Sequence, residues 1–163
     1  MADQAIEKMD VLLFRAGRFF WGVDVAYVVH VYWGISGENL VPLKSHFPLT
    51  CFGSRPEFGL SIEGESVPAI PLLSSTDPFN PAEFSGAAVV LYQKLTKMAV
   101  LAEEIVGTLS LDVNRQIHLL PNHLSGVMKI KGIWGIGQEE DKLIYLLEPT
   151  VACRESVAEN PAG

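Results

Sequence analysis

Two prolines lie within one apolar segment, VPAIPLL (residues 67–73), which otherwise has the composition of a β-strand. Because proline has no backbone N–H to donate to a sheet ladder, such a strand is expected at a sheet edge or at a bulge. Side chains alternate between the two faces of a strand, so Val67 and Ala69 share one face. Ile70 and Leu72 share the other face, which is equally apolar. We therefore expect this strand to lie where two layers of the structure meet.

The balance of charge argues against two broad classes of partner. The chain has 163 residues, of which 12 are Lys or Arg and 19 are Asp or Glu, for a net charge of -7. Nucleic acids and anionic membranes are bound through clustered cations. No apolar run approaches the roughly 18 residues of a membrane-spanning helix, and Asp24 interrupts the longest run, residues 19–29. We expect neither nucleic-acid binding nor membrane insertion.

Length and cysteine usage indicate a cytoplasmic protein. A chain of 163 residues favours one domain or two small lobes that share a core, and it needs no disulfide or metal to fold. Residues 1–10 lack the basic start and apolar stretch of a secretion signal. Cys51 and Cys153 are far apart in the sequence and are interpreted as two reduced thiols. The apolar fraction of 48% favours a surface that binds other proteins.

One order of predicted elements occurs twice along the chain. It consists of two strands, a short helical turn, a third strand, a glycine-bounded segment and a final strand. In the first half these elements are residues 11–14, 19–23, 24–29, 30–35, 59–64 and 67–73. In the second half they are residues 87–92, 97–102, 103–106, 109–111, 126–132 and 143–147. The repeat predicts two duplicated small barrels, with residues 37–56 as a long irregular connection.

No residue pattern predicts a catalytic group, a cofactor or a metal. The spacing of His118 and His123 does not suit a zinc site, which usually has two close pairs of ligands. Nothing around Cys51 resembles an activated nucleophile, so a buried thiol is the preferred interpretation. The glycine-rich residues 132–137 lack the helix start that a phosphate loop requires. They are interpreted as a hairpin tip.

Acidic residues predict the starts of two helical turns, and a run of three aromatic residues predicts a contact outside its own barrel. Asp24 is predicted to cap the first helical turn, and Glu103 and Glu104 to begin the second, where negative charge is favourable. The consecutive aromatic residues 19–21 cannot all face one side of a strand. At least one of them is expected to contact either the sister barrel or a partner.

Five segments together carry a family resemblance. They are LLFRAGRFFWGVD (12–24), GLSIEGESVPAIPL (59–72), AVLAEEIVG (99–107), LSGV (124–127) and LIYLLE (143–148). Their order resembles the CheW-like domain of bacterial chemotaxis coupling proteins and of the regulatory domain of their histidine kinase. The resemblance implies an all-β fold of two SH3-like five-stranded β-barrels around a shared hydrophobic core, with short helical segments. The domain is expected to span residues 9–150, between flexible termini at 1–8 and 155–163.

The sequence departs from the family at its best motif. That motif is Asn-Leu-Arg-Gly followed by a strand with a proline and a terminal Asp-Leu. Here the corresponding residues are Ser61-Ile62-Glu63-Gly64, and Pro71 replaces the aspartate. Replacing Arg by Glu reverses a charge and removes a donor fork. The partner-binding candidates that the resemblance implies are Ser61, Ile62, Glu63, Gly64, Val67 and Pro68.

The resemblance implies a non-catalytic adaptor in chemotaxis-type signal transduction. Its expected partners are the regulatory domain of a CheA-like histidine kinase and the cytoplasmic tip of a methyl-accepting receptor. Because the motif is altered, an adaptor of another kinase pathway, such as motility or development, stays open. A small-ligand-binding barrel and a hydrolase using Cys51 are the alternatives from other classes.

Overall fold

The fold consists almost entirely of β-strands. A computed structural model of the protein describes residues 7–43, 49–52, 56–72, 79–93, 96–122, 132–149 and 153–155. In these ranges the complete helical elements are three 3-10 turns, Val25–Tyr27, Gly37–Asn39 and Pro81–Glu83. No helix within the described ranges is long and apolar enough to cross a membrane. The expected all-β class is confirmed.

The described strands are numbered in chain order. They are β1 (Lys8–Ala16), β2 (Phe19–Asp24), β3 (Val28–Ser36), β4 (Leu40–Pro42), β5 (Leu49–Cys51), β6 (Phe58–Ile62), β7 (Glu65–Pro71), β8 (Ser85–Gln93), β9 (Thr96–Ala102), β10 (Glu104–Asp112), β11 (Ile117–Leu119), β12 (Ile133–Glu139), β13 (Lys142–Leu147) and β14 (Cys153–Glu155). Residues 1–6 and 156–163 lie outside the described residues. The strand β1 begins at Lys8, just before the expected domain limit of residue 9. The strand β14 (Cys153–Glu155) lies beyond the expected limit of residue 150.

Two six-stranded sheets share one internal plan. The first barrel has the strand order β10-β1-β2-β13-β12-β11, and the second has the order β3-β8-β9-β7-β6-β4. In each case the two outermost strands are consecutive in the chain, as expected of a sheet that curls toward closure. The resemblance implied five strands per barrel; the sixth is the three-residue edge strand β11 or β4.

Each barrel is assembled from both halves of the chain. The first takes β1 and β2 from the N-terminal half and β10 to β13 from the C-terminal half. The second takes β3, β4, β6 and β7 from the N-terminal half and β8 and β9 from the C-terminal half. By position in the sheets, β6 corresponds to β12 and β7 to β13. The predicted match of residues 67–73 with 143–147 agrees with this; residues 126–131 of its companion segment lie outside the described ranges.

Apolar side chains form one cluster between the barrels and one inside each barrel. The shared cluster includes Phe14, Trp21, Val23, Leu147, Ile70, Leu72, Val89 and Val100, drawn from both sheets. The cluster inside the first barrel includes Val11, Leu13, Leu111, Ile144 and Leu146. The cluster inside the second includes Leu60, Val67, Ala69, Val90 and Leu101. The shared hydrophobic core that the resemblance implied is confirmed.

The proline-bearing strand β7 lies between two of these clusters, as its apolar faces predicted. Val67 and Ala69 belong to the cluster inside the second barrel. Ile70 and Leu72 belong to the shared cluster. Burial on both faces therefore follows from the position of β7 between a barrel interior and the interface of the two barrels.

The expectation of a sheet edge or a bulge is wrong for this strand, whose two ladders show no register shift. β7 lies inside its sheet, antiparallel to β6 and parallel to β9. The parallel ladder with β9 runs only from Ala69 to Pro71. Pro68 precedes that ladder and Pro71 is its last residue, so a strand with two prolines is accommodated inside the sheet next to a short parallel ladder.

One of the two predicted helical turns is present. Asp24 caps the turn Val25–Tyr27, and its carboxylate accepts a hydrogen bond of 2.9 Å from the backbone N–H of Ala26. The second prediction is wrong, because β10 begins at Glu104 and continues as a strand against β1. Glu103 forms the bend before it.

Two further local predictions are wrong. Residues 37–56 are not wholly irregular, because they contain a 3-10 turn and the strands β4 and β5. Residues 133–137 lie inside β12, and the tip of its hairpin with β13 is Glu140-Asp141. Their glycines allow close packing instead: a Cβ on Gly137 would lie 2.9 Å from Leu111 Cδ1.

Candidate functional site

The candidate partner-binding residues all lie on one hairpin of the second barrel. Ser61 and Ile62 end β6, and Glu63 and Gly64 form the turn. The remaining candidates, Val67 and Pro68, lie in β7. The six candidate residues therefore lie close together in the structure, on the hairpin β6–β7.

The turn of this hairpin requires two unusual backbone conformations. The φ angle is 52° at Glu63 and 82° at Gly64, and the flanking residues Ile62 and Glu65 are register partners. Positive φ at both central residues is the feature of a type I′ turn, which matches the twist of the strands and favours Asn-Gly. Glycine adopts this conformation freely, whereas a residue with a Cβ is strained by about 1–2 kcal/mol. Glu63 is therefore held in a strained position at the hairpin tip.

Burial divides the candidates between surface and core. Glu63 and Gly64 are exposed, and Ser61, Ile62 and Pro68 are half-buried. Val67 belongs to the cluster inside the second barrel. The tip can therefore contact a partner, while Val67 anchors the hairpin.

A small cleft lies beside the hairpin. Its lining includes His30 and Tyr32 of β3, Ile62 and Glu65 of the hairpin, and Lys97 of β9. Its volume is about 40 Å³, whereas sites for organic ligands are usually about 300–1,000 Å³. The cleft therefore does not support the small-ligand alternative.

Charged groups surround the base of the hairpin. Lys97 Nζ lies 3.6 Å from Glu65 Oε1, and both side chains are more than two-fifths exposed. An ion pair this exposed contributes about 0–1 kcal/mol. Glu63 belongs to no ion pair within the described part of the chain. Its carboxylate therefore adds negative charge at the tip.

The first barrel has a second acidic tip in the corresponding place. The hairpin β12–β13 turns at Glu140-Asp141, and Glu140 has a φ angle of 53°. Since β12 and β13 correspond to β6 and β7, Glu140 is the counterpart of Glu63. The sequence comparison of the halves missed this pair because it matched the Glu63 segment with residues 126–132.

An exposed tryptophan was not among the candidates. Trp33 is 69% exposed and lies in the edge strand β3, where the register with β8 is broken between Tyr32 and Ile35. Gly34, next to it, has a φ angle of 68°. The Trp-Gly dipeptide inside a strand pattern was the available signal, because an isolated glycine there indicates a bulge. In the sequence, the exposed Trp33 directly follows Tyr32, which lines the cleft.

The three consecutive aromatic residues divide as the strand alternation predicted. Trp21 is buried in the shared cluster and donates from Nε1 to the carbonyl oxygen of Ala16 at 3.2 Å. Phe20 faces the cluster inside the first barrel. Phe19 is 36% exposed and packs edge-on against Tyr145, with ring centroids 5.2 Å apart. Contact with the sister barrel is therefore made by Trp21.

The residues considered for catalysis or metal binding are dispersed. His30 and His118 are exposed, and His46 and His123 lie outside the described residues. Among the described side chains, no three His, Cys, Asp or Glu residues are grouped closely enough to hold a metal. Cys51 lies in β5, where its register partner is Cys153.

Comparisons with known proteins address the fold. No protein-family model matches the chain, and no curated protein matches its sequence. Among solved structures, it is similar to the scaffolding protein TtCheW from Thermoanaerobacter tengcongensis, with a TM-score of 0.63 and 14% sequence identity. The similarity covers 91% of this chain and 89% of that one. The chain therefore has a CheW-like fold.

Proposed function

We propose that the protein is a non-catalytic scaffold of chemotaxis-type signal transduction. The observation that carries the proposal is the interlocked two-barrel fold. This chain shares that fold with a scaffolding protein over 91% of its own length and 89% of the other chain. A scaffold needs separate surfaces for separate partners, and each barrel has its own acidic hairpin tip and exposed apolar side chains. The proposed unit spans residues 9–150 and acts in the cytoplasm.

The proposed partners are the regulatory domain of a CheA-like histidine kinase and the cytoplasmic tip of a methyl-accepting receptor. Exposed apolar side chains supply the contact area: Trp33 and Val29 in the second barrel, Leu119 and Leu143 in the first. Burial of such area contributes about 25 cal/mol per Å², offset by the loss of rigid-body freedom. The shared core makes the two barrels one body, so a partner bound to one is held at a fixed distance from a partner on the other.

Binding measurements test this proposal. The full chain is titrated by calorimetry with the kinase regulatory domain and with a receptor-tip fragment, both encoded near its gene. We expect saturable binding to each and a three-component complex by size-exclusion chromatography. A kinase fragment without its regulatory domain is the control and is expected not to bind. Absence of binding to both partners would refute the proposal.

A second candidate is an adaptor of a different histidine-kinase pathway, such as motility or development. The observation in its favour is Glu63, an exposed acidic residue where the family motif has arginine. A charge at the rim of an interface selects partners more than it adds affinity. Titration against the regulatory domains of all such kinases in the genome distinguishes the two. Binding to a kinase that has no chemotaxis receptor partner favours the second candidate.

A further inference from the structure

The two cysteines of the chain are register partners. The strands β5 and β14 form an antiparallel sheet in which Cys51 lies opposite Cys153, and Thr50 lies opposite Arg154. The chain contains no other cysteine. All of its thiol chemistry is therefore concentrated at one position of one short ladder.

The backbone spacing of such a ladder suits a covalent link. Directly opposed residues of antiparallel strands have Cα atoms about 4.5 or 5.5 Å apart, depending on the hydrogen-bonding position. Disulfides usually join Cα atoms separated by about 4.4–6.8 Å. The register of Cys51 and Cys153 is therefore compatible with a disulfide without rearrangement of the strands.

This ladder also has the most to gain from a covalent link. Within the described residues, β5 and β14 pair only with each other, over three residue pairs. An isolated two-stranded sheet is marginal in water. Strands β6 to β13 all lie between the two cysteines, so a disulfide would close a very long loop. Loop closure of this kind restricts the unfolded chain strongly.

We propose that Cys51 and Cys153 are a reversible redox site that forms an intramolecular disulfide by exchange with a low-molecular-weight disulfide such as oxidised glutathione. One cysteine thiolate attacks a sulfur of the small disulfide and releases one small thiol. The other cysteine thiolate attacks the resulting mixed disulfide and releases the second small thiol. The cysteine pair loses two electrons, which the small disulfide gains. The two cysteine protons end on the two released thiols.

Glutathione titration of the full chain tests the proposal. The protein is equilibrated in buffers of graded reduced and oxidised glutathione, quenched with acid, alkylated and weighed by mass spectrometry. We expect a monomer that loses both alkylation sites in one transition and retains no glutathione. Cys51→Ser and Cys153→Ser are each expected to retain one glutathione, because the second exchange step has no attacking thiolate.

A register variant serves as the matched control. Thr50→Cys combined with Cys51→Ser keeps two cysteines but moves one of them out of register with Cys153. We expect it to accumulate at least ten-fold more mixed disulfide than the native chain under the same buffer. Equal closure in both proteins would overturn the proposal, because the register would then not direct the bond.

Thermal unfolding provides the second measurement. The oxidised protein is expected to melt at least about 5 °C above the reduced protein, because closing a long loop destabilises the unfolded chain. The Cys51→Ser/Cys153→Ser variant is expected to melt at one temperature in both buffers. Two thiols that remain alkylated across the whole series, or a disulfide that forms only between molecules, would overturn the proposal.

Discussion

The guanidinium of Arg15 binds the carboxylate of Glu103 where the chain crosses from the second barrel to the first. Arg15 Nη1 lies 2.5 Å from Glu103 Oε2, and the backbone N–H of Gly17 donates to Glu103 Oε1 at 3.2 Å. The backbone N–H of Glu103 donates to the carbonyl oxygen of Arg15 at 2.9 Å. These contacts attach the first hairpin to the crossover between the two sheets.

Glu103→Gln is expected to lower the free energy of unfolding by about 1 kcal/mol, because it weakens a charge-assisted hydrogen bond. The loss stays small because the side chains of Arg15 and Glu103 are 38% and 43% exposed. The matched control is Glu104→Gln, since Glu104 is 61% exposed and lies 3.4 Å from Arg15. Its effect should stay within about 0.3 kcal/mol. Urea denaturation measures both, and equal losses would contradict the role given to Glu103.

Glu63→Asn is expected to stabilise the protein by about 0.5–1 kcal/mol. Asparagine tolerates a positive φ angle better than glutamate does, and Asn-Gly is the preferred type I′ dipeptide. Glu57→Asn removes the same charge at an exposed position whose φ angle is not positive, so it should give no gain. Thermal denaturation of both variants checks this. A gain at both positions would indicate a general charge effect instead of relief of backbone strain.

Charge reversal at each of the two hairpin tips tests whether the two barrels bind different partners. If the tip of the second barrel borders a partner, Glu63→Arg should change the affinity for that partner by about 1–3 kcal/mol. Its melting temperature should change by no more than a few degrees, because the tip lies outside the core. Glu140→Arg makes the same reversal at an equally strained position of the first barrel. Calorimetry with the kinase domain and the receptor fragment should show different partners affected. Unchanged affinities in Glu63→Arg would mean that this tip contacts neither.

Trp33→Ser is expected to weaken binding to one of the two proposed partners at least ten-fold, since tryptophan is frequent among the hot spots of interfaces. Because Trp33 is 69% exposed, the free energy of unfolding should change by no more than about 0.5 kcal/mol. Leu119→Ser removes a side chain that is 78% exposed in the first barrel, and it should leave the affinity for that partner unchanged if the two barrels bind separate partners. Surface plasmon resonance measures both affinities. Native affinity of Trp33→Ser for both partners would show that the bulge of β3 contacts neither of them.

Division of the chain between residues 75 and 76 tests the exchange of strands between halves. Each barrel contains strands from both sides of this point. Neither piece should show a cooperative thermal transition alone, and an equimolar mixture should recover one. Far-ultraviolet circular dichroism follows the recovery of strand structure. A piece that folds alone would show that one barrel is complete within one half.

The sequence was sufficient wherever local chemistry decides the structure. The two apolar faces of residues 67–73 predicted that this strand lies between two apolar clusters. Asp24 predicted the helical turn that it caps, Val25–Tyr27. The sequence was insufficient to predict local structure where contacts with residues distant in the chain determine it. Glu103 and Glu104 suit a helix start, but Arg15 binds both and β1 recruits the following strand. Tertiary contacts outweigh a propensity of a few tenths of a kcal/mol.

The candidate site was predictable in position but not in its details. The altered motif located the hairpin, because glycine at position 64 marks a turn between two strand patterns. Gly34 was a local signal for a bulge in β3, but the exposure of Trp33 also depends on how β3 pairs with β8, which the local sequence does not set. The pairing of Cys51 with Cys153 likewise depends on two short strands that only the folded chain brings together.

The exchange of strands between halves determines when folding can occur during translation. The hairpin β1–β2 is synthesised long before its sheet neighbours β10 and β13. Domains fold as units, usually from the N-terminus as the chain emerges. The apolar sides of the first hairpin are therefore not covered by their sheet neighbours β10 and β13 while those strands are still being synthesised. The nascent chain therefore cannot complete the first barrel before β13 has been synthesised.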